Sequence, residues 1–131
     1  FPTRRSSDLG AMSAAHYKLD NLCAVVDRNR LQISGNTEDV MHHDDLHERF
    51  RSFGWHVIDV KNGNSIEELD AAFEEAKTVK GKPTVLIANT VKGCGSSVME
   101  NKASWHHHVP GDEEYEQIMK DLEERKEAAL K

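Results

Sequence analysis

A lysine, two glycines and a histidine define the first place in this chain to look for chemistry. Thr90-Val91-Lys92-Gly93-Cys94-Gly95 is followed, eleven positions after Gly95, by His106 at the end of Ser104-Trp105-His106. The apolar run Thr84-Val85-Leu86-Ile87-Ala88 feeds straight into this segment, so a buried strand is expected to end in a Lys-Gly-x-Gly loop. Such a loop suits an anionic, phosphate-bearing ligand, because glycines permit close backbone approach and lysine supplies charge. A histidine returning after a short excursion can handle protons near neutral pH. Taken alone, the same residues also fit a solvated lysine on a structural turn.

A second group lies at Asn29 and Leu31. The Asn29 amide oxygen and the Leu31 backbone carbonyl, read as lying in a loop, are hard donors of the kind Mg²⁺ or Ca²⁺ accepts. Two neutral oxygens need a carboxylate and phosphate oxygens to complete such a site, and a turn asparagine is the plainer alternative. His106-His107-His108 suggests a transition-metal cluster, but adjacent residues rarely converge on one ion, and no Cys or His pair is spaced for zinc. His42, His43, Asp44, Asp45 and His47 stand at a polar helix start, where N-terminal capping and a solvated face account for them. Gly-x-Ser-x-Gly, Walker-type and Gly-x-Gly-x-x-Gly patterns are absent from the sequence, which removes the usual signals for those chemistries.

The elements that must position these residues alternate. A helix-like stretch from Gly10 leads to Leu22-Cys23-Ala24-Val25-Val26, a short apolar run ending in Asp27-Arg28-Asn29 and then a polar loop at Ser34-Gly35-Asn36. Leu46, Phe50 and Phe53 share a helical face that stops at Gly54. Trp55–Val60 reads as the next strand, and Ser65-Ile66-Glu67-Glu68 as a capping box ahead of Ile66, Leu69, Phe73 and Ala76 on one face. Lys80-Gly81-Lys82-Pro83 ends that helix, the Thr84 strand follows, and a last helix is expected from about Asp112 to Leu130. Strands at 22–27, 55–60 and 84–89 separated by helices predict a parallel sheet with helices on both faces. Ligands in such sheets sit beyond the carboxyl ends of the strands, which here are polar.

Length and charge narrow the function. The 131 residues suit one domain, and the net charge of −6 argues against general nucleic-acid binding. No apolar run approaches the roughly 20 residues that span a bilayer, and no apolar stretch follows Arg4-Arg5 to make a signal peptide. Cys23 and Cys94 lack metal-like spacing, so a reducing, cytoplasmic setting is expected. Residues 1–9, Phe1-Pro2-Thr3-Arg4-Arg5-Ser6-Ser7-Asp8-Leu9, show no periodicity and resemble the conceptual translation of a sequencing-adapter oligonucleotide. They are read as non-native or disordered, which makes residues 10–131 a fragment of a longer protein.

Several motifs together resemble transketolase: Ala14-Ala15-His16-Tyr17-Lys18-Leu19-Asp20-Asn21-Leu22, Asp27-Arg28-Asn29-Arg30-Leu31-Gln32-Ile33-Ser34-Gly35, Phe53-Gly54-Trp55, Gly81-Lys82-Pro83-Thr84, and Thr90 through His106 to Pro110. The likeness is strongest to the N-terminal subunit of two-chain transketolases, since the chain stops after one charged helix, where that subunit ends. It implies the three-layer α/β/α thiamin diphosphate-binding fold, as a partial domain, and the part of it that holds the diphosphate and Mg²⁺. By this resemblance Asn29 gives a side-chain oxygen and Leu31 a carbonyl to Mg²⁺, Lys92 and Gly93 meet the cofactor's phosphates, and His106 assists proton transfers. The implied reaction moves a two-carbon ketol unit between sugar phosphates, in a dimeric assembly with a C-terminal subunit carrying the pyrimidine-binding domain. The family's Gly-Asp-Gly segment, which supplies the carboxylate ligand, and its substrate-facing N-terminal histidines belong upstream of Gly10 and are not in this sequence. His107 stands where the family commonly has glycine. A deoxyxylulose phosphate synthase, a dehydrogenase component and a non-catalytic fragment acting in assembly are the alternatives; the Ser104-Trp105-His106 excursion and Arg30-Leu31 favour transketolase.

Overall fold

The computed structural model describes residues 3–42 and 45–130. In chain order the elements are helix α1 (Thr3–His16), strand β1 (Cys23–Asp27), strands β2 (Leu31–Gln32) and β3 (Gly35–Asn36), helices α2 (Thr37–Val40) and α3 (Leu46–Ser52), strand β4 (His56–Val60), helix α4 (Ile66–Thr78), strand β5 (Thr84–Ala88), a 3-10 turn (Ala103–His106) and helix α5 (Asp112–Ala129). They fall into two units, one within residues 1–28 and 43–89, the other within 29–42 and 90–131.

The first unit holds the parallel sheet, in the order β1-β5-β4, with Val25 and Ile58 both in register with Leu86. The last strand in sequence is therefore central, and β5 is buried at every position. Alternate side chains leave its two faces. Val85 and Ile87 pack with Ala11, Ala14 and Trp55, flanked by Phe50 and Phe53, so α1 and α3 cover that face. Leu86 packs with Ile58, Val60, Ala72 and Ala76, so α4 covers the other. The three-layer α/β/α arrangement expected from the sequence is present. Trp55 ties the first face together: its indole N–H donates to the Ala11 carbonyl at 2.9 Å, and Phe50 meets its ring edge-on at 5.5 Å. β1 is different, because its burial alternates and Cys23, Val25 and Asp27 stay exposed. Its apolar composition predicts cover on both faces, and within this unit it has cover on one.

Helix boundaries follow local chemistry. α3 ends in a Schellman-like turn, with Gly54 at φ +90° and Trp55 N–H donating to the Phe50 carbonyl at 3.1 Å. Ser65 caps α4 by accepting from Glu68 N–H at 3.3 Å, yet the Glu68 carboxylate accepts from Asn62 N–H at 2.9 Å instead of from Ser65. The expected capping box is thus half formed, its glutamate drawn to the strand-end turn. α1 begins at Thr3, not at Gly10 where the apolar pattern starts. Once Ala11 and Ala14 anchor a turn in the core, extending the helix backwards adds one hydrogen bond per residue without a further nucleation cost. Ser6 to Gly10 are exposed on it. Phe1 and Pro2 lie outside the described residues.

Side chains lock the carboxyl ends of the three strands. Asn89 donates from Nδ2 to Asp59 Oδ1 at 3.0 Å and to the Val60 carbonyl at 3.0 Å, and accepts at Oδ1 from Arg28 at 3.2 Å. His47 adds a bond from Nε2 to Asp59 Oδ1 at 2.9 Å. That hydrogen bond, helped by Asn89 and Arg28, holds the Asp59 carboxyl below its usual pKa. A depressed carboxylate stabilises the fold above its unfolded pKa of about 3.9 and loses that contribution as pH falls through the lower folded value. Asp59→Asn is expected to cost at most about 1 kcal/mol at neutral pH, as for a half-exposed pair. The difference from the parent should shrink as pH falls below the unfolded value of about 3.9 and through the lower folded one. Urea titrations at several pH values measure it, and a pH-independent difference would show that charge is not involved.

The second unit contains the β2–β3 hairpin, paired antiparallel with Leu31 opposite Asn36. Gly35 at φ +136° lets the chain fold back where the sequence reads as an open polar loop. Asn36 then caps α2, accepting from Glu38 N–H at 3.2 Å. No helix among the described residues is long and apolar enough to cross a membrane.

Candidate functional site

The residues singled out for phosphate, metal and proton chemistry fall in the second unit. Asn29 Oδ1 accepts the Leu31 N–H at 2.9 Å, an Asx turn, and Arg30 between them adopts φ +62°. The plainer reading of Asn29 is therefore realised in the geometry, although a side-chain carbonyl keeps a second acceptor site. Only the loop placement expected of Leu31 is corrected. The residue lies in β2 opposite Asn36 and not in an open loop, because the turn at Gly35 pairs the two short strands. β2, which begins at Leu31, contacts the 3-10 turn that ends in His106. Beside Leu31, the Gln32 side-chain Nε2 is buried without a hydrogen-bond partner.

Lys92 and Gly93 open a loop that closes on itself. Asn101 N–H donates to the Lys92 carbonyl at 2.9 Å, Ser96 N–H to the Gly93 carbonyl at 3.2 Å, and Glu100 accepts the Gly95 N–H at 3.2 Å. Gly93 sits at φ +68°, and a Cβ there would lie 2.8 Å from Met99 Cβ and 2.9 Å from the Met99 backbone. The approach of Met99 therefore requires this glycine, where the sequence pattern suggests the approach of a ligand. Ser96, 4% exposed, carries a hydroxyl with no partner. Lys92 is half-buried.

The three consecutive histidines have separate surroundings. His106 is exposed, and its ring meets that of His107 edge-on at 4.6 Å. His108 packs on Trp105 at 4.4 Å and bonds Glu114 at 2.8 Å. Glu114 also accepts the Gly111 N–H at the start of α5, and these two bonds hold its carboxyl below the ordinary range. At the other cluster His42 pairs with Glu38 at 2.6 Å, while Asp45 caps α3 through His47 N–H at 2.9 Å and Glu48 N–H at 3.2 Å. His43 and Asp44 lie outside the described residues. Among the described residues no group of three or more His, Cys, Asp or Glu is placed to hold a metal ion.

One set of contacts has no counterpart in the sequence pattern. Asp121 Oδ2 accepts both the N–H and the hydroxyl of Ser97, at 2.6 and 2.7 Å, while its Oδ1 accepts from Gln117 at 2.7 Å. Arg125 donates to Cys94 Sγ at 3.4 Å, and a Cβ at Gly95 would run into its guanidinium. Gln117, Asp121 and Arg125 recur every four residues and so share one face of α5. That spacing is the signal that could have found them.

The chain matches the family model described as "Transketolase, thiamine diphosphate binding domain" over residues 6–128. It is 46% identical over 115 residues to one subunit of the apulose-4-phosphate transketolase of Phocaeicola vulgatus, covering 88% of this chain and 41% of that protein. It is 36% identical over 113 residues to a 6-deoxy-6-sulfo-D-fructose transketolase subunit of a Clostridium species, with 86% and 41% covered. The chain thus spans about two-fifths of the length of these relatives. The crystal structure of transketolase from Campylobacter jejuni superimposes with a TM-score of 0.80 at 28% identity, covering 87% of this chain and 18% of that one. A parallel sheet of this order, with a match running from Ser6 to Ala128, places the chain in the transketolase thiamine diphosphate-binding domain family.

Proposed function

We propose that this chain supplies the diphosphate- and Mg²⁺-binding part of a transketolase, which moves a two-carbon ketol unit between sugar phosphates. The partner is a second subunit carrying the pyrimidine-binding domain, in a dimeric cytoplasmic assembly. The observation that supports this reading is the contact between β2, which begins at Leu31, and the 3-10 turn Ala103–His106. Asn29 and the Leu31 carbonyl are oxygen donors of the type Mg²⁺ prefers. Lys92 provides positive charge for a diphosphate. The unpartnered donors Gln32 Nε2 and Ser96 Oγ, on the two segments in question, fit an anionic ligand. Thiamin diphosphate, when bound, supplies the carbanion chemistry through its thiazolium ring, while the protein contributes orientation and charge. The exposure of His106, outside the Trp105–His108–Glu114 contacts, supports its role as a proton carrier.

The donor set has two neutral oxygens and no carboxylate, so we assign the third protein ligand to a segment outside this sequence. Calorimetry with Mg²⁺ and thiamin diphosphate is therefore expected to show weak or no binding by the 131-residue chain alone. Binding should appear in the longer subunit paired with its partner. Lys92→Met in that assembly should weaken it about tenfold at low salt and less as salt screens the charge. Micromolar affinity in the lone chain would overturn the missing-ligand argument, and unchanged affinity in Lys92→Met would remove Lys92 from the site.

A further inference from the structure

The loop from Lys92 to Glu100 is closed by its own backbone bonds, but its outer arm is held from α5. Ser97 offers two donors, its N–H and its hydroxyl, and both go to one carboxylate oxygen of Asp121 at 2.6 and 2.7 Å. The other oxygen is occupied by Gln117 one turn back on the helix, at 2.7 Å. One turn forward, Arg125 reaches Cys94 Sγ at 3.4 Å and fills the space that a side chain at Gly95 would need. Asp121 and Arg125 on one helical face thus hold Ser97 and Cys94, with Gln117 bracing Asp121, on either side of Ser96 and its unpartnered hydroxyl. Bonds from a carboxylate to N–H and O–H donors are charge-assisted and roughly twice as strong as neutral ones. The Asp121 carboxyl is correspondingly held below its usual pKa, by Ser97 first and then Gln117.

We infer that Asp121, with Arg125 beside it, is the positioning residue for the phosphate-end loop: it orders Lys92–Ser97 for the cofactor without touching the cofactor itself. The inference rests on the proposed role of Lys92. Asparagine keeps a neutral acceptor for Ser97 once the Gln117 amide turns over, so Asp121→Asn removes the charge while Asp121→Ala removes the bonds as well.

Two measurements on Asp121→Ala and Asp121→Asn test it. The first is amide hydrogen exchange in the 131-residue chain, where the Ser97 N–H should exchange at least about tenfold faster once its charge-assisted bond to Asp121 is gone. Exchange in the first turns of α5 should stay unchanged, which separates local release from loss of the helix. The second is thiamin diphosphate affinity in the assembled enzyme, expected to fall about tenfold with turnover at saturating cofactor unchanged. Ser97→Ala, which keeps the backbone bond, should give a smaller change in both. Unchanged Ser97 exchange in both Asp121 variants would overturn the inference. So would normal cofactor affinity in Asp121→Ala alongside weakened affinity in Lys92→Met. If Lys92→Met and Asp121→Ala both leave affinity normal, the role assigned to the loop fails, and the inference with it.

Discussion

Leu86→Ala is expected to cost about 2–5 kcal/mol of stability, toward the upper end of that range. Leu86 is fully buried on the central strand, in register with Val25 on one side and Ile58 on the other. Its side chain faces Ile58, Val60, Ala72 and Ala76. The two alanines have no side-chain freedom with which to refill the space, so the cavity persists and its cost adds to the lost transfer energy. A domain with ~5–15 kcal/mol of total stability stays folded but with little margin. Val25→Ala makes the control. The same sheet loses apolar atoms there, but Val25 is 50% exposed on the uncovered face of β1, and the cost should stay below about 1 kcal/mol. Urea unfolding of both variants gives the comparison, and equal losses would show that β5 is not the centre of the core.

The contrast between these positions marks what the sequence makes legible. Both strands read as apolar runs of similar length, and composition alone predicts burial on both faces for each. Only the order β1-β5-β4 shows which of them is central, because strand order depends on contacts between residues far apart in the chain. The parallel sheet and its alternation with helices are readable because they are local, periodic properties. The start of α1 is not, since Thr3 to Leu9 join a helix without contributing an apolar stripe that a pattern could reveal. The β2–β3 hairpin escapes for a related reason. Two residues per strand are too few to show alternation, and Gly35 reads equally well as a loop glycine.

At the candidate site residue types are legible and their partners are not. Asn29 stands out as an oxygen donor, and the structure adds that its Oδ1 already closes a turn on Leu31 N–H. Gly93 stands out as well, and the structure adds that a Cβ there would meet Met99. The hold of α5 on the loop depends on Ser97 meeting Asp121 across twenty-four positions. No short motif encodes that separation, and the acid-rich composition of α5 does not distinguish Asp121 or Glu114 from its solvated carboxylates.

On the proposed function, His106→Gln in the assembled enzyme should lower turnover at saturating cofactor by about 10²-fold, the scale of a lost general acid or base. Glutamine keeps a hydrogen-bonding side chain of similar reach but cannot carry a titrating proton. The competing account makes His106 an anchor of the long loop beside Trp105, in which case the substitution would lower the melting temperature and leave turnover per folded site normal. The geometry assigns that anchoring elsewhere. Trp105 packs on His108 at 4.4 Å, and His108 is fixed by Glu114 at 2.8 Å. His106 is exposed and meets only the ring of His107 edge-on among the described aromatic contacts. His108→Gln is therefore the variant expected to loosen the loop, whereas His106→Gln should melt with the parent protein. Steady-state rates measured together with cofactor occupancy and melting temperature separate the two roles. Normal turnover at full occupancy would remove His106 from the mechanism, whatever its neighbours do.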